Sequence, residues 1–138
     1  MVIYRFNSPL TYFNAPYFKR RVLEQAEHHK DASCVVIDAV SSFTHLDLSV
    51  MATLADIHNT LKKRGVRLIL AGRKRRLRQW CELTGISTSE GGILLRADMY
   101  LAIKLSGCYI SAVGEGQIPT VQKEPDLEQP PKPIPEVA

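Results

Sequence analysis

The chain has 138 residues, 45% hydrophobic and 23% charged with a net charge of +4, which suits one soluble domain with a real core. Its apolar runs are too short to cross a bilayer, and its N-terminus lacks the pattern of a secretory leader. Three cysteines, Cys34, Cys81 and Cys108, have no paired spacing, which predicts reduced thiols of a cytoplasmic protein and excludes a disulfide framework or zinc site.

Charge and proline are unevenly distributed along the chain. Residues 1–114 carry 16 Lys and Arg against 9 Asp and Glu, whereas residues 115–138 carry 2 against 5, together with six of the eight prolines. Because proline lacks a backbone donor and fixes φ, the second segment cannot form a regular helix or a central strand. We therefore predict a folded domain over 1–114 and a disordered, proline-rich tail over 115–138, with a ligand for a proline-reading domain as the less favoured alternative.

The N-terminal part predicts two strands, a helix and a third strand. The runs "VIYRF" and "LTYFN" are separated by the turn signal "NSP", which suggests two strands in a hairpin. A helix then begins near Pro16 and places Phe18, Val22 and Ala26 on one apolar face. The continuous apolar run "SCVVIDA" predicts a strand that is buried on both faces.

The rest of the chain alternates helices and strands. The apolar residues of a second helix, which ends at "KKRG", fall along one side: Leu48, Met51, Leu54, Ile57 and Leu61. After it come a strand in "VRLILAG", a helix in "KRRLRQWCELTG", a strand in "GGILLRA" and a helix in "DMYLAIKL", with Asp98 near its start. This order predicts an α/β sandwich in which a mixed sheet with a parallel centre is covered by about four helices.

Two long segments resemble a known family. The segment "VIYRFNSPLTYFNAPYFKRRVL" is similar to the opening of the cytoplasmic STAS domain of SulP-family anion transporters, and "CVVIDAVSSFTHLDLSVMATLADIHNTLKKRGVRLILAG" is similar to the STAS core. The resemblance covers about residues 2–105. It implies a STAS-type fold and a non-enzymatic regulatory domain at the cytoplasmic side of the inner membrane. Its partners would be the transmembrane domain of a sulfate, bicarbonate or dicarboxylate transporter and, as an open alternative, a second copy of itself.

Two other functions occur on the same fold, those of a soluble anti-sigma-factor antagonist and of a nucleotide-binding sensor. In the antagonists, an Asp-Ser-Ser-Gly loop precedes the second helix, and a partner kinase phosphorylates its first serine. The matching segment here is Asp47-Leu48-Ser49-Val50, in which Leu48 has no hydroxyl and Val50 replaces the glycine. The phosphate switch is therefore absent at that position, and "YFNAPYF" is characteristic of the transporter branch.

The same stretch holds a candidate regulatory or ligand loop made of Thr44, His45, Asp47 and Ser49. We expect the Asp47 carboxylate or the Ser49 hydroxyl to cap the second helix by accepting bonds from its first-turn N–H groups. Those N–H groups and the helix dipole also attract anions, so a weak anion or nucleotide contact stays open. The negative charge of Asp47 opposes that contact.

A basic cluster opens the third helix, where positive charge is unfavourable with the helix dipole. It consists of Arg73, Lys74, Arg75, Arg76 and Arg78. Three interpretations compete: a solvated face with Leu77 and Trp80 turned inward, contact with anionic lipid or an acidic protein, and nucleotide binding. Nucleic acid is not expected, because no aromatic residues interleave with the cluster. The absence of a Walker-type loop argues against a nucleotide.

No catalytic or metal-binding group of residues is predicted. His28 and His29 are neighbours, and a helix turns about 100° per residue, so they cannot share a metal ion on one face. The histidines at 45 and 58 are isolated, and Cys81 beside Trp80 on an amphipathic helix predicts packing. Since no nucleophile, base and orienting group occur together, we expect neither enzyme activity nor a cofactor.

Overall fold

The computed structural model describes residues 1–107, and Cys108 and the predicted tail over 115–138 lie outside the described residues. Its elements, in chain order, are β1 (Val2–Arg5), α1 (Ala15–His28), β2 (Cys34–Asp38), α2 (Leu48–Lys63), β3 (Arg67–Ala71), α3 (Lys74–Thr84), β4 (Leu94–Arg96) and α4 (Met99–Lys104). The helix predicted to start with the basic cluster and the last predicted helix are both present, and Asp98 caps α4 by accepting a hydrogen bond from the Leu101 N–H at 2.8 Å.

The four strands form one sheet in the order β1-β2-β3-β4. All three pairings are parallel, with Val2 opposite Val35, Val35 opposite Leu68 and Ile69 opposite Leu94. The predicted α/β sandwich with four helices is confirmed. The sheet expected to be mixed is all-parallel over residues 1–107, because each described strand is joined to the next by a helix, and such crossovers return the chain in the same direction.

The strand expected at "LTYFN" does not form, which removes the predicted hairpin. Its residues form a loop with a turn that leads directly into α1. The Asn14 side chain accepts a hydrogen bond from the Thr11 N–H at 2.9 Å, so a local partner replaces the sheet partner that a strand would need. Leu10 is buried under this loop, whereas Tyr12 and Phe13 are exposed.

Apolar side chains fill both faces of the sheet. On one face, Val35, Ile37, Leu68 and Leu70 pack with the buried sides of α1, α2 and α3. On the other face, Cys34, Val36, Ile69 and Ala71 pack with Ala102 of α4. Burial on both faces explains why β2 and β3 appear as continuous apolar runs in the sequence.

The apolar faces of α1 and α2 agree with the sequence except at one residue. The predicted face of α1 is buried, as are four of the five apolar residues predicted for α2: Met51, Leu54, Ile57 and Leu61. Leu48, however, is 67% exposed. It lies about 120° around the helix from Leu54, and Val50 takes its place in the core.

Across the part of the chain that the structure describes, no helix combines the length and the hydropathy that a membrane span requires.

Candidate functional site

The loops that follow β1, β2 and β3 meet at the carboxyl edge of the sheet. The Tyr12 N–H donates to Asp47 Oδ2 at 3.0 Å, which joins the β1–α1 loop to the start of α2. Arg73 Nε donates to the Val40 carbonyl at 2.7 Å, which joins the start of α3 to the β2–α2 loop. The candidate loop and the basic cluster, predicted as separate sites, therefore lie side by side.

Asp47 is the N-cap of α2. Its Oδ1 accepts hydrogen bonds from the N–H groups of Ser49 at 2.8 Å and Val50 at 3.2 Å. The capping prediction is therefore confirmed for Asp47, while Ser49 is the second helical residue with an exposed side chain. Because these two donors are already occupied, the N-terminus of α2 offers an incoming anion fewer free N–H groups, which weakens the anion-binding interpretation.

The other two residues of the candidate loop face the basic cluster and the solvent. The Thr44 hydroxyl lies 3.1 Å from Nδ1 of His45, whose side chain is exposed. The Thr44 carbonyl accepts a hydrogen bond from the Arg76 guanidinium at 3.4 Å. The four candidate residues are thus close in space, but the polar groups of Thr44 and Asp47 bond to their own loop, to the Tyr12 N–H and to Arg76 instead of converging on an empty site.

A tight turn brings α3 against the β2–α2 loop. Gly72 has φ +99°, and a Cβ built on it would lie 2.6 Å from Cγ2 of Val40. Arg73 follows with φ 53°, a left-handed conformation that costs a non-glycine residue on the order of 1–3 kcal/mol. The bond from its Nε to the Val40 carbonyl holds it there. The turn fixes where the basic cluster points.

No residue of the basic cluster belongs to any ion pair found within residues 1–107. The first turn of α3 contains no acidic residue, and the helix dipole adds to the positive potential there. Arg75, Arg76 and Arg78 are exposed, and the Arg76 guanidinium lies 5.9 Å from the centroid of the Trp80 ring. Leu77 is buried and Trp80 packs partly against the core, so their predicted inward orientation is confirmed.

Exposed apolar side chains surround the same edge. Phe13 is 85% exposed and Tyr12 65% exposed, and their rings meet edge to face at 6.3 Å. Val40, Leu46 and Leu48 are also exposed on the adjoining loop and helix start. Together with the basic cluster, these five residues define what we call the carboxyl-edge surface.

The sequence assigned Tyr12 and Phe13 to a strand and Leu48 to the core, so it missed the apolar half of this surface. A signal was present, because Asn14 followed by Pro16 marks a helix start. Asn14 is indeed the N-cap position of α1. That start leaves only residues 10–13 between Pro9 and the N-cap of α1.

An ion pair between a buried carboxylate and an exposed guanidinium supports the base of the β2–α2 loop. Asp38, at the end of β2, is 6% exposed, and its Oδ2 lies 2.8 Å from the Arg5 guanidinium, directly across the strand pair. Its Oδ1 accepts a hydrogen bond from the Val40 N–H at 3.0 Å. Asp38 therefore fixes the direction in which the chain leaves the sheet and enters the carboxyl-edge surface.

The reactive side chains that the sequence raised are the Cys81 thiol and the histidines at 28 and 29. Burial raises the pKa of the Cys81 thiol, and the nearby Glu82 charge raises it further, so the thiol stays protonated and acts in packing. No group of three His, Cys, Asp or Glu side chains within residues 1–107 is placed to hold a metal ion. His28 and His29 are both exposed.

A family model described as the STAS domain matches residues 1–101. The match includes all four strands, the basic cluster and the first residues of α4. The chain belongs to the STAS domain family, whose members are generally non-enzymatic regulatory domains. A comparison with curated proteins finds no match.

Proposed function

We propose that this STAS domain is a non-enzymatic regulatory module of a SulP-type anion transporter and that its carboxyl-edge surface docks on the anionic cytoplasmic face of the membrane beside the transmembrane domain. One observation supports this most. Five cationic side chains without an ion-pair partner in residues 1–107 lie beside five exposed apolar side chains. The resemblance of "YFNAPYF" to the transporter branch is consistent with it.

The basic cluster supplies the electrostatic part of the docking. Cations in the first turn of a helix oppose its dipole, and the first turn of α3 has no acidic side chain to compensate them. Near an anionic leaflet each Lys or Arg gains about 1 kcal/mol, and the attraction decays over a Debye length of about 8 Å at physiological salt. Arg75 and Arg78, which are exposed, would contribute most.

The exposed apolar side chains supply the second part. Aromatic rings are favoured at membrane interfaces and at the centres of protein interfaces. Tyr12 and Phe13 project from a loop that Asp47 holds against α2, so they are presented from a fixed backbone. Leu48 extends the apolar area from the first helical position.

A vesicle-binding experiment tests the docking. The domain should bind vesicles rich in phosphatidylserine at low salt, bind neutral phosphatidylcholine vesicles far more weakly, and dissociate as salt rises. The double variant Arg75→Gln/Arg78→Gln should lose this binding. The matched control Lys62→Gln/Lys63→Gln, which removes the same charge at the other end of α2, should keep it.

Two results would contradict the docking proposal. Equal binding of both double variants would show that net charge, not the carboxyl-edge surface, drives association. Saturable binding of a mononucleotide, competed by phosphate and lost in Ser49→Ala or Arg73→Gln, would favour the nucleotide sensor instead.

The transporter assignment has its own test in the reading frame upstream of Met1. Roughly ten or more apolar spans of about 20 residues in that frame would support it. A stop codon there, followed by a neighbouring gene for an anti-sigma-type kinase, would favour the soluble partner-switching regulator.

That regulator is the second candidate, because the start of α2 is exposed where the antagonists carry their phosphorylated serine. Leu48 occupies the acceptor position and has no hydroxyl, while Ser49 is exposed one residue later. After incubation with an anti-sigma-type kinase and ATP, intact mass should remain unchanged in the wild type. The Leu48→Ser variant provides the positive control, and stoichiometric phosphate on Ser49 in the wild type would support the switch.

A further inference from the structure

We propose that residues 124–128 of the chain's own C-terminal segment dock on the basic cluster and mask the carboxyl-edge surface, so that the domain regulates its own docking. The inference rests on the proposed function for what the surface does, but the intramolecular contact is a separate claim. Three observations support this contact: the first turn of α3 has no acidic residue beside its cations, acidic residues alternate along residues 124–128, and the chain after α4 is long.

The charges are complementary. None of the five ion pairs found in residues 1–107 involves the basic cluster, so no described carboxylate lies within ion-pair distance of it. Residues 115–138 carry five acids against two lysines. The acidic segment is therefore the part of this chain whose charge matches the cluster.

The spacing of the acids suits a row of cations. Glu124, Asp126 and Glu128 alternate with Pro125 and Leu127. Glu124 precedes Pro125 and is therefore biased towards extended backbone, and where a chain is extended its alternate residues point to the same side. Such a segment would direct three carboxylates at the cluster.

The cluster offers partners at a matching spacing. Arg75 and Arg78 are three residues apart on α3, so they are neighbours on its surface, and both are exposed. The acidic segment also carries an apolar side chain, Leu127, and the exposed rings of Tyr12 and Phe13 offer it an apolar contact on the same surface.

The chain is long enough to reach. The Arg67 guanidinium donates to the Ser106 carbonyl, so the chain leaves α4 near the start of β3, at the opposite edge of the sheet from the cluster. Between Gly107 and Glu124 lie enough residues to span up to about 55 Å when extended. A domain of this size is about 35 Å across, so residues 124–128 can return to the carboxyl edge.

Amide spectra of the full chain test the contact directly. We compare the wild type with the neutralised variant Glu124→Gln/Asp126→Asn/Glu128→Gln and with the control Glu115→Gln/Glu136→Gln, which removes acids outside 124–128. The amide signals of residues 73–80 should shift in the neutralised variant, in the same direction as the wild type shifts on adding salt. The control should resemble the wild type. Unchanged signals in the neutralised variant, or shifts that vary with protein concentration, would overturn the intramolecular contact.

Vesicle binding gives the second readout and separates the two proposals. The neutralised variant should bind phosphatidylserine vesicles roughly threefold to tenfold more tightly than the control, since a few exposed ion pairs no longer compete. If the amide shifts occur and no variant binds vesicles, the contact stands and membrane docking fails. If the wild type and both variants bind vesicles equally and the amide signals stay unchanged, membrane docking stands and the intramolecular contact fails.

Discussion

A single carboxylate, that of Asp47, accepts hydrogen bonds from three backbone N–H groups in two segments of the chain. Two of these, from Ser49 and Val50, belong to the first turn of α2, and the third comes from Tyr12 in the β1–α1 loop. At the scale of single residues, Asp47 therefore does more than cap a helix. It also positions the loop that carries the exposed aromatic rings.

Replacing Asp47 should accordingly destabilise the domain more than replacing its neighbour. Asp47→Ala should lower the free energy of unfolding by roughly 0.5–2 kcal/mol, the range for losing an N-cap, and towards its upper end because the Tyr12 bond is lost too. Ser49→Ala serves as the control and should change it by less than about 0.5 kcal/mol, because its exposed hydroxyl is not the cap. Urea denaturation measures both, and equal midpoints for the two variants would refute the capping role.

His58 predicts a dependence of stability on pH. Burial lowers its pKa below the ordinary value of 6.5; a hydrogen bond with the Gly91 backbone opposes this shift, and the Lys62 charge adds to it. The unfolded chain therefore binds a proton at a higher pH than the folded domain does. The stability that neutral His58 contributes is present above pH 6.5 and is lost as the pH falls through the lower folded-state pKa.

Urea midpoints measured at about pH 7.5 and about pH 5.5 check this expectation. The midpoint of the wild type should fall more between these values than that of His58→Gln. A His28→Gln variant, altered at an exposed histidine, should keep the dependence of the wild type. The expectation is wrong if His58→Gln and the wild type lose stability in parallel.

At the scale of elements, the β3–α3 turn decides where the basic cluster lies. Gly72 has φ +99°, and its Cα approaches Val40 so closely that there is no room for a Cβ. Arg73, left-handed and bonded to the Val40 carbonyl, then starts α3. The turn couples two elements through one close contact, so a change at Gly72 should act on both.

Gly72→Ala should therefore destabilise the domain by roughly 1–3 kcal/mol, combining the clash with Val40 and the positive φ. Val40→Ala alone should cost little, because Val40 is 53% exposed. The double variant should recover part of the loss, since removing Cγ2 relieves the clash but not the backbone strain. A double-mutant cycle of unfolding free energies measures this coupling, and strict additivity would mean that the Val40 contact is not the cause.

At the scale of the whole molecule, charge is divided between a basic domain and an acidic C-terminal segment. Residues 1–101 match the STAS domain as a unit, and the described residues complete a sheet covered on both faces. The segment after Gly114 contributes prolines and few residues that a core would bury. Its contacts with the domain should be electrostatic and weak.

Truncation after Gly114 should therefore leave folding almost unchanged. The free energy of unfolding should fall by less than about 1 kcal/mol at low salt, the upper range for exposed ion pairs, and by nothing measurable at high salt. Thermal and urea denaturation of the two chains at both salt concentrations provide the measurement. A large loss of stability that persists at high salt would mean that the segment packs into the domain.

The sequence alone determined the α/β class, the four helices and the buried faces of the central strands. These follow from local sequence, because β2 and β3 are continuous apolar runs and the apolar residues of α1 repeat at the helical period. It also indicated Asp47 as a cap and the inward orientation of Leu77, both of which depend on neighbours within one turn. Family membership was visible in the same segments that the STAS model matches.

Only the tertiary structure decided the site. Residues 10–14 lie outside the sheet and Leu48 is turned to solvent, so the apolar half of the carboxyl-edge surface appeared only in the folded chain. The basic cluster and the residue 44–49 loop are separated by more than 20 residues in sequence, and nothing local predicts that Arg73 and Arg76 bond to the β2–α2 loop. They meet because parallel strands place the loops after β2 and β3 at the same edge of the sheet, a relation between elements and not a property of either sequence segment.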